Sequence, residues 1–254
     1  MPGGESEQKW PDRMWIVRHG QSESNVAREL AEAAASEHIG ISVRDVDVPL
    51  STLGTAQARA VGAWFGALPA MDRPTVVLVS PYLRAIQTAG LICEAAGVTV
   101  SRQDGSYVVD ERLREKEFGL LSGLTKAGMA SRHPHDYELR MLFGKFYHRP
   151  PGGESYPDVI MRLRSLLGTI TREYAAGERV LIVCHSVVVN CFRYLLERMT
   201  EEEILEQDRV NDVRNCSITG YQYDPTAGRR GQGGLHPVQV NDVRPLWEAG
   251  IAIS

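Results

Sequence analysis

The sequence predicts an α/β fold: one three-layer α/β/α sandwich built around a central, mostly parallel sheet. Three observations carry this expectation. Short apolar runs at residues 14–17, 76–79 and 180–184 have the length of buried strands, and each leads into a helical stretch. Every run halts at turn or cap residues, namely Arg18-His19-Gly20, Ser80-Pro81 and His185-Ser186. The 254 residues are 43% hydrophobic and 24% charged, enough for one sizeable core, with no internal repeat and no linker to divide it.

Residues 1–12 are polar and contain glycine and proline, so they read as a flexible tail before a single domain over 13–254. The run Met14-Trp15-Ile16-Val17 is the first strand. Residues 22–36, rich in Ala and Glu, form a helix, and 38–50, without period, a loop. Ser51 caps a helix over 52–67. After the strand at 76–79 comes a helix over 83–96 that Gly97 ends. A third short strand is expected at 98–100. Residues 105–153 are irregular, with one helix near 126–132, and are expected to lie over the strand ends as a lid. Ser155-Tyr156-Pro157-Asp158 has the spacing of a capping box with proline in the first turn, so a long amphipathic helix should run to about Tyr174. A strand at 180–184, a helix over 187–199 and late strands at 217–223 and 238–243 complete the chain. The late strands flank a Gly/Arg-rich loop, GRRGQGG, expected to be flexible.

Composition narrows function. The 28 Lys+Arg against 32 Asp+Glu give a net charge of −4, which argues against a general nucleic-acid or membrane-surface binder. No apolar run approaches the roughly 18 residues of a membrane-spanning helix. Cys93, Cys184, Cys191 and Cys216 have no C-x-x-C spacing, so neither a zinc site nor a redox motif is indicated. The N-terminus lacks the apolar core of a secretory signal. A reduced, cytoplasmic protein is expected.

The strand ends carry the chemistry. Two of them place a histidine just past the strand, at His19 and His185. A third is followed by Arg84 at the start of a helix, and Arg18 precedes His19. If the strands are neighbours, two imidazoles and two guanidinium groups meet in one pocket. Guanidinium forks suit a phosphoryl group and tighten as charge develops in the transition state. The histidines show no metal-ligand spacing, so no metal and no cofactor is expected.

The motifs resemble those of the histidine phosphatase superfamily, the phosphoglycerate mutase-like family. They run in family order: Arg18-His19-Gly20-Gln21-Ser22-Glu23-Ser24-Asn25; Pro49-Leu50-Ser51 with Gly54 and Gln57-Ala58; Ser80-Pro81 with Arg84-Ala85 and Thr88-Ala89; Leu113-Arg114-Glu115; Gly153-Glu154-Ser155; and the strand ending at His185. Together they span about residues 14–190. The resemblance implies a phosphoglycerate mutase-like fold. It makes His19 the nucleophile that takes the phosphoryl group, and Arg18, Arg84 and His185 its phosphate ligands. It also implies that Glu115 protonates the leaving oxygen. Asn25 takes a position that contacts phosphate or substrate, and Gln21 one that lines the pocket. Ser186 stands where many members have glycine and still offers a backbone N–H.

The expected activity is a metal-independent phosphatase acting on a small phosphorylated metabolite through phosphohistidine. A cofactor-dependent phosphoglycerate mutase is the alternative. Against the mutase, the region after Glu115 lacks a long Arg- and Pro-rich insertion. A non-catalytic phospho-ligand module is a third, weaker reading, because every reactive residue is present. His133, His135 and His148 read as exposed loop residues.

Overall fold

The computed structural model describes residues 8–98, 107–228 and 232–254. The expected strand at 98–100 and most of the Arg-rich centre of the GRRGQGG loop therefore fall outside the described residues.

Four parallel strands form the heart of the sheet: β1 (Arg13–Arg18), β2 (Val76–Val79), β3 (Val108–Val109) and β4 (Arg179–Cys184). Two more, β5 (Ile218–Asp224) and β6 (Gly234–Asp242), run antiparallel beside β1. The spatial order is β3-β2-β4-β1-β5-β6. The sheet is thus mixed. Its parallel part is made by crossover helices, whereas β5 and β6 join as a hairpin, which only antiparallel strands allow.

Alternation along the strands explains the three layers. Met14 and Ile16 of β1, with Val180 and Ile182 of β4, face one core; Trp15, Val17, Leu181 and Val183 face the other. The second core is closed by α2 (Thr52–Ala67), α3 (Leu83–Ala96) and the short α9 (Arg244–Glu248). The first is closed mainly by α6 (Tyr156–Glu173) and α7 (Ser186–Leu196), with Phe146 of α5 (Pro134–Tyr147) and Ile204 of α8 (Glu201–Val210). The remaining helices, α1 (Glu23–Ala33) and α4 (Lys126–Arg132), lie towards the carboxyl end of the sheet.

The predicted caps are in place. Ser51 Oγ accepts from Gly54 N, and Ser155 and Asp158 form a reciprocal capping box at α6. Gly97 ends α3 with φ +60°. Three helices depart from the expectation. α5 lies in the stretch expected to be irregular; α8 and α9 lie in stretches given no element. The last strand also begins earlier than expected, at Gly234. Cys184, Cys191 and Cys216 are buried, Cys93 is half-buried, and all four are free thiols.

Candidate active site

The register of β1 on β4 pairs Arg18 with Cys184, so the next residues, His19 and His185, leave the sheet side by side. His19 N–H donates to Cys184 O at 2.9 Å, and the two imidazole centroids are 5.1 Å apart. β2 ends one strand further on. Ser80 N–H donates to Val183 O, which brings the Ser80 hydroxyl to 2.7 Å from His185 Nε2. Three strand ends thus converge on one point.

Hydrogen bonding assigns the His19 tautomer. His19 Nδ1 lies 2.7 Å from Gly20 O. A carbonyl only accepts, so Nδ1 carries the proton and Nε2 keeps a free lone pair. Burial, reinforced by Arg84 and Arg18, pushes the His19 pKa well below the ordinary imidazole value. The ring is therefore neutral near pH 7, the state in which an imidazole is a nucleophile. His185 is also driven well below its ordinary value, by burial first and by Arg84 next. Ser80 Oγ, which accepts from Tyr82 N–H, engages His185 Nε2, so Nδ1 is the His185 nitrogen left without a partner.

That Nδ1, together with Arg18 Nε and Arg84 Nε, is buried without a hydrogen-bond partner among the described residues. Orphaned buried polar atoms are costly, and those of Arg18 and Arg84, which line one cavity with His19, mark an anion site; His185 does not itself line the cavity but stacks edge-on beside His19. Arg18 reaches Val213 O with Nη1, and Asp212 lies 4.0 Å away. Arg84, only 4% exposed, packs its guanidinium 4.7 Å over the Tyr82 ring and is met by Asp45.

Glu115 enters from the loop after β3. Its Oε1 accepts from Lys116 N–H at 2.8 Å, and Oε2 lies 3.9 Å from His185 Nδ1. With His185 neutral, that contact is neither an ion pair nor a hydrogen bond. Burial raises the Glu115 pKa above the usual carboxylate value, against the opposing pull of Lys116 N–H and Arg84. A protonated carboxyl beside an anion site can act as a general acid. Glu154 holds this loop in place: its carboxylate takes Arg114, Arg162 and Glu117 N–H. Of the three glutamates in the stretch, Glu115 alone lines the cavity; Glu111 and Glu117 are exposed.

The other expected site residues divide. Asn25 lines the cavity, but its Oδ1 is taken by Ser22 N–H, Ser22 Oγ–H and Asn215 Nδ2–H, so its amide nitrogen is the end available to a ligand. Ser186, the first residue of α7, lines the cavity at a helix N-terminus, where backbone N–H groups are unspent. Gln21 does not line it. Its Oε1 accepts from Ser51 Oγ–H and its backbone N–H donates to Gln57 Oε1, which ties the His19 turn to α2. That turn needs glycines: a Cβ on Gly54 would stand 2.0 Å from Gln21 O, and one on Gly20 2.5 Å from Gly54 O. His148 is a correction, because it is buried at the end of α5 rather than exposed.

The cavity holds about 480 Å³. Beyond the charged floor its lining includes Ile39, Ile41 and Val43 from the loop after α1 and Phe118, Leu121 and Leu124 from the segment after Glu115. Sequence reasoning passed over Asp45 and Asp212, which lie in loops without pattern. Among the described residues, no three His, Cys, Asp or Glu side chains gather as metal ligands. No helix among them is long and apolar enough to cross a membrane.

Paired histidines and arginines at the carboxyl ends of a sheet, with a largely buried acid beside them, form a site suited to a phosphoryl group. The family model for the histidine phosphatase superfamily (branch 1) matches residues 14–230, and the chain belongs to that superfamily. A 2,3-bisphosphoglycerate-dependent phosphoglycerate mutase of Gloeobacter violaceus is 32% identical over 190 residues, 74% of this chain and 77% of the mutase. The 6-phosphofructo-2-kinase/fructose-2,6-bisphosphatase of Gallus gallus is 28% identical over 76% of this chain and 34% of its own length. Among solved structures, a mycobacterial glucosyl-3-phosphoglycerate phosphatase has the same fold, with a TM-score of 0.66, 24% identity and coverage of 91% of this chain and 98% of that one.

Proposed function

We propose that this enzyme hydrolyses a small phosphomonoester in two displacements, with His19 as the covalent relay. His19 Nε2 attacks phosphorus and forms the N–P bond while the ester P–O bond breaks. Glu115 gives its proton to the leaving oxygen. Arg18, Arg84, His185 and the Ser186 backbone N–H hold the phosphoryl oxygens, and Asn25 contacts phosphate or substrate. Water then attacks phosphorus, Glu115 takes a water proton, and the N–P bond breaks to release orthophosphate. Two arginines supply the positive charge, so the scheme calls for no metal or organic cofactor. Residues 105–153 act as a cap over the strand ends.

The observation that carries this reading is the neutral His19, with Nε2 free, in one cavity with the unpartnered buried Nε–H groups of Arg18 and Arg84. The choice of hydrolysis over mutase activity rests on the cavity wall. A phosphoglycerate carries a carboxylate beside its phosphate, and a bisphosphate carries a second phosphate. Beyond the floor the lining offers, among the described residues, only Arg28 and Arg44 as cations, and Arg44 is held by Asp47 at 2.7 Å. The mutase reading keeps one support of its own, the likeness to bisphosphoglycerate-dependent mutases.

The test is acid quench after mixing with ³²P-labelled ester. Wild type should carry acid-labile, base-stable phosphate, and His19→Ala should carry none. EDTA should leave turnover unchanged. Label persisting in His19→Ala would remove the nucleophile assignment. Interconversion of 3- and 2-phosphoglycerate faster than phosphate release from every ester tried would make the mutase the correct reading.

A further inference from the structure

Arg84 is engaged by a carboxylate in a manner the proposed reaction does not use. Asp45 opens a one-turn 3-10 segment, Asp45–Asp47, in the loop between α1 and α2. Arg84 Nη1 donates to Asp45 Oδ1 at 3.0 Å and to its backbone oxygen at 2.7 Å, and Nη2 donates to Oδ2 at 3.1 Å. This forked pairing presents two oxygens to two guanidinium nitrogens, the same geometry by which a phosphoryl group is recognised. Asp45 also lines the cavity beside His19.

We propose that Asp45 is an internal competitor of phosphate: its carboxylate occupies the Arg84 fork, yields to the phosphoryl group on binding, and returns to help expel orthophosphate. This rests on Arg84 being a phosphate ligand, as set out above. The two partners differ in the way such an exchange needs. Arg84 is buried and held over Tyr82, whereas the Asp45 side chain is 45% exposed and sits on a three-residue turn. Displaced from Arg84, the carboxylate can reach water at little desolvation cost, while the arginine stays in place. Arg18 has a weaker counterpart in Asp212, 4.0 Å away and 63% exposed. Both cage arginines therefore stand beside an exposed acid, and Asp45 is the one in full hydrogen-bond contact. The exchange makes and breaks no covalent bond and needs no co-reactant.

The consequence is an affinity held down by design. Removing the carboxylate should tighten every phosphate-like anion and slow product departure. The experiment is calorimetric titration of the full chain with orthophosphate and orthovanadate, for wild type, Asp45→Asn and Asp72→Asn. Asp72 pairs with Arg13 at the start of β1, away from the cavity, so its variant removes an equal charge without freeing Arg84 or any cation of the cavity wall. Asp45→Asn should bind both anions about tenfold more tightly, the scale of one partly exposed charge-assisted pair, and Asp72→Asn should match wild type. With p-nitrophenyl phosphate, KM and the inhibition constant for orthophosphate should both fall in Asp45→Asn, with kcat not rising.

Unchanged or weaker anion binding by Asp45→Asn, with wild type binding normally, would overturn the competitor and leave the phosphatase reading intact. It would mean that Asp45 merely positions Arg84. Equal tightening in Asp72→Asn would reduce the effect to general charge and overturn it too. Failure of every form to bind either anion would remove Arg84 as a phosphate ligand, and the competitor with it.

Discussion

Replacing Glu115 by Gln separates proton donation from every other role of that side chain. The carboxyl is 13% exposed, and Oε1 is already committed to Lys116 N–H, so Oε2 is the oxygen left to carry the proton. Burial raises its pKa, which keeps the acid form populated to higher pH than an ordinary carboxylate would allow. Gln preserves the size and the Lys116 contact but has no acidic proton. General-acid catalysis contributes about 10²–10⁴ in rate, or about 3–5 kcal/mol of barrier at 1.36 kcal/mol per decade. The whole of this loss should fall on an alkyl phosphate such as glycerol phosphate, whose leaving alkoxide needs the proton. p-Nitrophenolate leaves as a stable anion, so its ester should lose less than about tenfold on the same grounds.

The assay is rapid-quench measurement of the phosphorylation step alone, because slow dephosphorylation would hide the contrast in steady-state rates. The pH profile follows from the sign of the shift. The donor is the protonated form, so wild-type phosphorylation by the alkyl ester should fall as pH rises through the raised Glu115 pKa. That limb should vanish in Glu115→Gln and be absent for the aryl ester. Equal losses on both esters would refute proton donation and make Glu115 a positioning residue.

Two further substitutions probe the scaffold. Gly54→Ala places a methyl 2.0 Å from Gln21 O, a backbone atom that no rotamer change can move aside. We expect a loss of about 1–3 kcal/mol in urea unfolding together with reduced turnover, and an unchanged midpoint would show the turn to be compliant. Asp158→Asn weakens the α6 cap, where the carboxylate takes Arg149, Ser155 N–H and Ser155 Oγ–H and its pKa is lowered to about 2 from 3.8. A lowered carboxylate stabilises the fold above its unfolded pKa. The variant should therefore be less stable by on the order of 1 kcal/mol at neutral pH, and the gap should narrow as pH falls from 3.8 towards 2.

The parallel half of the fold is legible because each of its main strands is a bare apolar run between punctuating residues. Most of its helices carry a readable cap or stop, as Ser51, Gly97 and Ser155 show. The direction of β5 and β6 is not legible, since the residues of a strand do not state which way its neighbour runs. α5 escapes because its pattern contradicts amphipathicity: Met141, Leu142 and Phe143 face outwards, and Gly144 breaks the helix with φ +75°. α8 had a signal that could have found it, the Thr200/Glu203 capping box. Of the residues that the motifs single out, Arg18, His19, Asn25, Arg84, Glu115 and Ser186 do line one cavity. Gln21 was misjudged because adjacency in sequence to His19 does not fix which way a side chain turns. Asp45 and Asp212 were invisible because their meaning lies in arginines far along the chain.

The position of β1 has a consequence for how the molecule comes into being. The strand that delivers His19 is made first, yet it lies between β4 and β5, pairing Arg13 with Arg179 on one side and with Gln222 on the other. A growing chain therefore carries His19 on a strand with both edges open until most of the polypeptide has emerged. Closing those two long loops makes folding slow for a domain of this size. His185 and Val213 O, which complete the surroundings of His19 and Arg18, arrive with the same late strands. The surroundings of His19 are thus assembled only in the step that seals the sheet. A synthesis interrupted before β4 leaves an apolar, unpaired strand prone to association with other chains.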